Sequence, residues 1–253
     1  VVALSRSYSD REMLTCARNG FVTALAVDDG NGSGAAGLGL AYALEGKMDQ
    51  AQSRLYESSK HKPSTVTLLM LGNLMQDAGN SAEAIRLWQL AGAAPYFDTY
   101  AETLESSGDV EKALVFYNRA TQIDPEFVSA YLQIGRIHYE DGDFHLASNA
   151  FVAYVTLRPD RAGYAWLGRS SEALGETDAA IQAYTKAAEL GELWYGYLAL
   201  GDLYMELGDY NHADTWYQSA RERFPNTLMA NLKLANLALR QDRHDLAWTY
   251  IQA

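Results

Sequence analysis

Apolar residues recur along this chain at steps of three and four, the period of one helical face. Within that rhythm lies a longer one. Leu38-Gly39, Leu71-Gly72, Ile134-Gly135, Leu167-Gly168 and Leu200-Gly201 are each followed twelve residues later by an alanine: Ala51, Ala84, Ala147, Ala180 and Ala213. Two weaker copies, Tyr100-Ala101 with Ala113 and Leu234-Ala235 with Ala247, keep the register with alanine in place of glycine. The late alanines are spaced 33, 29, 34, 33, 33 and 34 residues apart. Four residues after each stands a large side chain: Leu55, Trp88, Tyr117, Phe151, Tyr184, Tyr217 or Ile251.

This spacing predicts pairs of helices. Gly79-Asn80, Gly108-Asp109, Gly142-Asp143 and Gly208-Asp209 fall between the two halves of a unit. Glycine ends the first helix because it adopts the left-handed backbone, and Asn or Asp then caps the exposed amides of the second. Pro63, Pro125, Pro159 and Pro225 close units, each suited to the first turn of the next helix, where a missing N–H costs nothing. Gly and Ala at the crossing points allow close approach, and the aromatics fill the space between neighbours.

In order, these positions resemble the tetratricopeptide repeat family. In the unit 128–161 the family positions fall on Tyr131, Ile134, Gly135, His138, Ala147, Phe151, Tyr154 and Pro159. His138 stands where an aromatic is usual, and Tyr154 where a small residue is usual. In the unit 194–227 they fall on Tyr197, Leu200, Gly201, Tyr204, Ala213, Tyr217, Ala220 and Pro225, without departure. The resemblance implies an all-α, right-handed α-solenoid of antiparallel helix hairpins. Residues 1–31 would be a capping helix or degenerate repeat, opened by a capping box at Ser9, Asp10, Arg11 and Glu12. Residues 32–253 would hold about seven units starting near 32, 65, 94, 128, 161, 194 and 228, the last cut short within its second helix. Such arrays need polar caps, so the chain reads as an excised piece of a longer protein. The 29-residue interval places a deficit at 90–96, where the pitch should change.

Charge and composition narrow the partners. The formal net charge is −12, which disfavours nucleic acid, whose binding needs surplus Lys and Arg. No run of about 18 apolar residues is present, so no membrane insertion is expected in this piece. The single cysteine, Cys16, excludes an internal disulfide and leaves the compartment open, cytoplasmic or periplasmic. Its apolar neighbours Met13, Leu14 and Ala17 mark it as a small core residue.

Candidate chemistry is sparse. Gly32, Gly34 and Gly37 spell a G-x-G-x-x-G fingerprint after the apolar run 21–27, but a dinucleotide site needs an alternating β/α chain. Asp29, Asn31, Ser33 and Gly34 have the spacing of a calcium loop, yet Leu40 occupies the position of its bidentate carboxylate. The stretch reads instead as a flexible glycine-rich join. The five histidines include no pair at zinc spacing. No catalytic motif appears, so neither enzyme activity nor a cofactor is expected.

The resemblance implies that a protein or peptide segment lies along first-helix positions lining a concave groove. Those positions hold Asn73, Gln76 and Asp77, then Asp98, Glu102 and Glu105. They continue with Arg136, Tyr139 and Glu140, Arg169 and Glu172, Asp202, Met205 and Glu206, and Asn236 and Arg240. Arg136 and Arg169 hold equivalent positions, so both should enter the groove close together and suit a carboxylate. Pairing within the helix, Arg136 with Glu140 and Arg169 with Glu172, is the plainer alternative. Asn73 stands without the lysines that a chaperone-binding clamp uses. The leading expectation is a protein-interaction scaffold. The alternatives are the soluble arm of a larger envelope, glycan-assembly or secretion protein, a helical-repeat metal binder or enzyme, and a self-assembling repeat protein.

Overall fold

In a computed structural model the described residues are 8–27, 32–60, 63–191, 194–225 and 228–252, with side chains described from Leu14 onward. The side chains of the capping box at 9–12, and Asp29 and Asn31 of the calcium-like loop, therefore lie outside the described residues. The described chain is all helical and divides into two compact units, Val1–Phe127 and Val128–Ala253.

Unit 1 contains α1 (Tyr8–Val27) and three hairpins. These are α2 (Gly32–Leu44) with α3 (Met48–Ser59), α4 (Thr65–Asp77) with α5 (Ser81–Leu90), and α6 (Ala94–Ser106) with α7 (Val110–Ile123). Unit 2 contains four: α8 (Val128–Glu140) with α9 (Phe144–Leu157), α10 (Arg161–Ala173) with α11 (Thr177–Leu190), α12 (Trp194–Glu206) with α13 (Tyr210–Arg223), and α14 (Leu228–Arg240) with α15 (His244–Gln252). Each first helix packs on its own second helix, and α4, α10, α12 and α14 also pack on the second helix before them, whereas α5 reaches α7.

The turn inside each hairpin is stereotyped. The amide three residues past the helix end returns to a carbonyl five residues back, as in Asp143 N to His138 O at 2.8 Å and Asp209 N to Tyr204 O at 2.8 Å. This closure needs a left-handed residue, and Gly142 supplies it at φ 84°. In the last hairpin Asp242 takes that conformation at φ 58°. Capping is less uniform than the sequence suggests. Asn80 and Asp209 accept from the amides of Glu83 and His212, at 3.3 and 3.2 Å. Asp109 instead holds Lys112 Nζ at 2.5 Å, and the Asp143 side chain makes no cap bond.

The seven late alanines are all buried, and Trp88, Tyr117, Phe151, Tyr184 and Tyr217 are fully enclosed. The reason lies on the facing first helix. A Cβ built on Gly135 would come within 2.5 Å of the Phe151 ring, and one on Gly168 within 2.8 Å of Tyr184. Gly72 and Gly201 make the same notch for Trp88 and Tyr217. The second-helix aromatic thus fills space that only a missing side chain leaves open, and dispersion and burial stabilise it. Tyr154 follows the same logic. Its ring rests on Gly163, and its hydroxyl donates to Asp160, the cap of α10, at 2.8 Å.

Three expectations change. Gly32, Gly34 and Gly37 lie within helix α2, so the join is not a glycine-rich loop from Gly32 onward. Gly37 receives the Phe21 ring of α1, a packing role. Cys16 is exposed, as is its neighbour Ala17, so it is not a core residue. The missing residues of the short interval come out of a helix: α5 has 10 residues where the other second helices of complete hairpins have 12 to 14. Rings close the joint there. Trp88 meets Phe97 edge-on at 5.0 Å, Phe97 stacks on Phe116 at 5.7 Å, and Arg119 covers Phe116 at 4.8 Å.

Candidate partner-binding face

Where a second-helix ring fills a first-helix glycine notch, the core lies between the two helices, and the other first-helix positions differ in exposure. In unit 1, Asn73 and Asp77 on α4 and Glu102 on α6 are all exposed. Glu105 is half-buried and accepts the Tyr117 hydroxyl at 2.9 Å. Asp98 is buried.

In unit 2 the corresponding residues are engaged more closely. Arg136 on α8 donates to Gln133 Oε1 at 2.7 Å and lies 3.8 Å from Glu140. Both of these contacts run along its own helix. Arg169 on α10 behaves differently. Its guanidinium carbon sits 4.8 Å from the centre of the Trp166 ring, 5.7 Å from Tyr139 and 5.8 Å from Tyr195. Tyr139 comes from α8 and Tyr195 from α12, so one arginine joins three consecutive first helices. Arg169 and Trp166 each cover part of Tyr139, whose ring is 5.4 Å from Trp166. Among the described residues Arg169 and Glu172 form no ion pair.

Glu172 instead accepts the Tyr184 hydroxyl at 2.7 Å. Asp202 on α12 accepts the Tyr217 hydroxyl at 2.6 Å and Lys233 Nζ, from α14, at 2.8 Å. The tyrosines that fill the glycine notches therefore also hold carboxylates of the first helix. Burial pushes the Tyr117, Tyr184 and Tyr217 phenols well above their ordinary range, and the accepting carboxylates push them further. Met205 is half-buried against the core around Tyr197 and Leu234, so it offers less free surface than its position suggests. Asn236 and Arg240 on α14 are exposed.

Sequence reasoning missed Trp166 and Tyr195. Their part depends on ring contacts between neighbouring hairpins, about one repeat apart in sequence. It also missed the tyrosine–carboxylate bonds, although Glu105 with Tyr117 and Glu172 with Tyr184 share a separation of 12 residues that marks them. His138, off the usual aromatic type, places Nδ1 3.9 Å from the Asp143 carboxylate. Among the described residues no cluster of His, Cys, Asp or Glu could hold a metal ion, and no helix is long and apolar enough to cross a membrane.

A family model for the TPR repeat matches residues 104–142, and a tetratricopeptide repeat model matches 132–193 and 198–253. Among solved structures, a crystal structure of MamA protein aligns at 22% identity and TM-score 0.60, over 63% of this chain and 88% of that one. YrrB, described as a TPR protein with an unusual peptide-binding site, aligns at 19% identity and TM-score 0.55, over 62% and 81%. The C-terminal part of a TPR repeat-containing protein from Cytophaga hutchinsonii aligns at 18% identity and TM-score 0.50, over 88% and 95%. At these identities the likeness is one of fold. Comparison with curated protein sequences finds no match.

Proposed function

We propose, from the premise that this chain belongs to the tetratricopeptide-repeat family, that it is an interaction scaffold that holds a partner's protein segment on its first-helix faces. The observation that carries this reading is a division of labour. Second-helix rings in first-helix notches build the core, which leaves Asn73, Asp77, Glu102, Asn236 and Arg240 exposed, and Arg169 exposed above a cluster of rings. Exposed polar groups interleaved with half-buried aromatics make a surface suited to recognition, where Tyr, Trp and Arg carry most of the binding energy. Arg136, Tyr139, Glu140, Glu172, Asp202 and Met205 complete the proposed face in unit 2. YrrB's described peptide-binding site supports a peptide as the kind of ligand, by analogy of fold alone.

The experiment is capture of partners from an extract with the wild-type chain and with Arg136→Glu combined with Arg169→Glu. Neither side chain is buried, so folding should survive the change, which circular dichroism checks. Loss of the captured band is the expected result. Undiminished capture by the double variant would remove the unit 2 face from the account.

A further inference from the structure

The geometry points to Arg169, braced by Trp166, Tyr139 and Tyr195, as the anchor for one acidic side chain in a partner segment that runs across α8, α10 and α12. This inference rests on the scaffold reading above and adds the chemistry of its ligand.

Three observations carry it. First, the guanidinium lies 4.8 Å above the Trp166 ring, with Tyr139 and Tyr195 on its flanks. The cation packs on rings yet remains exposed, and a guanidinium so held can still offer its N–H groups to a carboxylate in a two-point bond. Stacking also fixes a long side chain in advance, so less freedom is lost when a ligand arrives. Second, the carboxylates at the nearby first-helix positions make their hydrogen bonds to other groups and none to Arg169. Glu172, three residues on, takes the Tyr184 hydroxyl at 2.7 Å, and Asp202 takes Tyr217 and Lys233 at 2.6 and 2.8 Å. Among the described residues Arg169 has no hydrogen bond or ion pair of its own, and it is exposed. Third, aromatic surface extends to both sides of the cation. Tyr139 continues into Phe144 at 5.3 Å, and Tyr195 into the exposed Trp194 at 6.1 Å.

The last observation selects the form of the ligand. A chain terminus would use the surface on one side only, whereas a segment that passes through uses both. The carboxylate is therefore an Asp or Glu side chain with apolar neighbours before and after it. The chain's net charge of −12 argues for a single acid, because a strongly acidic segment would be repelled as it approached.

The test is selection from a displayed library of random dodecapeptides, tethered at both ends so that no terminus is free. Selected segments are then measured against Arg169→Gln, Arg169→Lys, and Lys186→Gln as a control on α11. The expected segments share one Asp or Glu beside apolar residues. Arg169→Gln should weaken them by about tenfold or more, the range of a lost anchor contact. Arg169→Lys should weaken them by less, because it keeps charge but loses the planar edge. Replacing the segment's acid with its amide should cost nothing further in Arg169→Gln. Segments that bind Arg169→Gln undiminished, or that lack an acid, would overturn this inference and leave the scaffold reading standing. A library that yields no binding segment at all would overturn both.

Discussion

The two units share a packing rule and differ in the face they leave exposed. In both, a ring from the second helix enters a notch on the first, whether Trp88 at Gly72 in unit 1 or Phe151 at Gly135 in unit 2. Their first helices otherwise diverge. In unit 1, α2, α4 and α6 carry Asp77, Asp98, Glu102 and Glu105 and no Lys or Arg. In unit 2, α8, α10, α12 and α14 carry four acids and also Arg136, Arg161, Arg169, Lys233 and Arg240. The ring-stacked arginine shows the contrast in one residue. Arg119 of unit 1 covers Phe116 and Trp88 from a second helix, where it seals a short joint. Arg169 of unit 2 performs the same stacking from a first helix, where it faces outward. Core and recognition surface thus draw on different positions of one repeat, so one can change while the other holds.

If the packing rule is common, its loss should cost the same in either unit. Trp88→Ala and Phe151→Ala should each destabilise by about 3–5 kcal/mol, the range for emptying a filled aromatic site. Denaturant unfolding gives the total, and amide hydrogen exchange should place each loss mainly in its own unit, since repeat stability is governed by nearest neighbours. A large cost in one unit and a trivial one in the other would break the comparison.

A smaller effect separates the tyrosines from the Phe and Trp at the same position. Tyr184→Phe keeps the ring and removes the bond to Glu172, at a cost of roughly 1 kcal/mol. It should also alter the response to alkali. A phenol whose folded pKa stands above its unfolded value of about 10 contributes stability that is fully present below that value. That stability is lost as pH rises through the folded one. The wild-type denaturation midpoint should therefore fall above about pH 10, and Tyr184→Phe should fall less steeply. Identical slopes would show that the Tyr184 hydroxyl is not held as described.

The helical fold was legible because its determinants repeat. The apolar–Gly pair, the late alanine and the ring four residues after it recur in order, and each has one geometric meaning. Groove positions were legible only as positions. Spacing along a single helix suggested Arg169 with Glu172, but the partners of both lie on other helices. Tyr184 comes from α11, and Tyr139 and Tyr195 come from α8 and α12. Side chains at three-residue spacing compete with every neighbour the hairpins bring in, and here a buried hydroxyl and three rings won. Cys16 failed for a similar reason: an apolar sequence neighbourhood does not say which side of α1 is covered.

Hydroxyl-radical footprinting of the chain, free and with its captured partner, tests the division of labour most directly, because exposed rings are oxidised and covered ones are spared. The account predicts that Tyr139, Trp166 and Tyr195 lose reactivity on capture while Trp248, exposed on α15, keeps it. Protection of Trp248 with those three rings unchanged would contradict it.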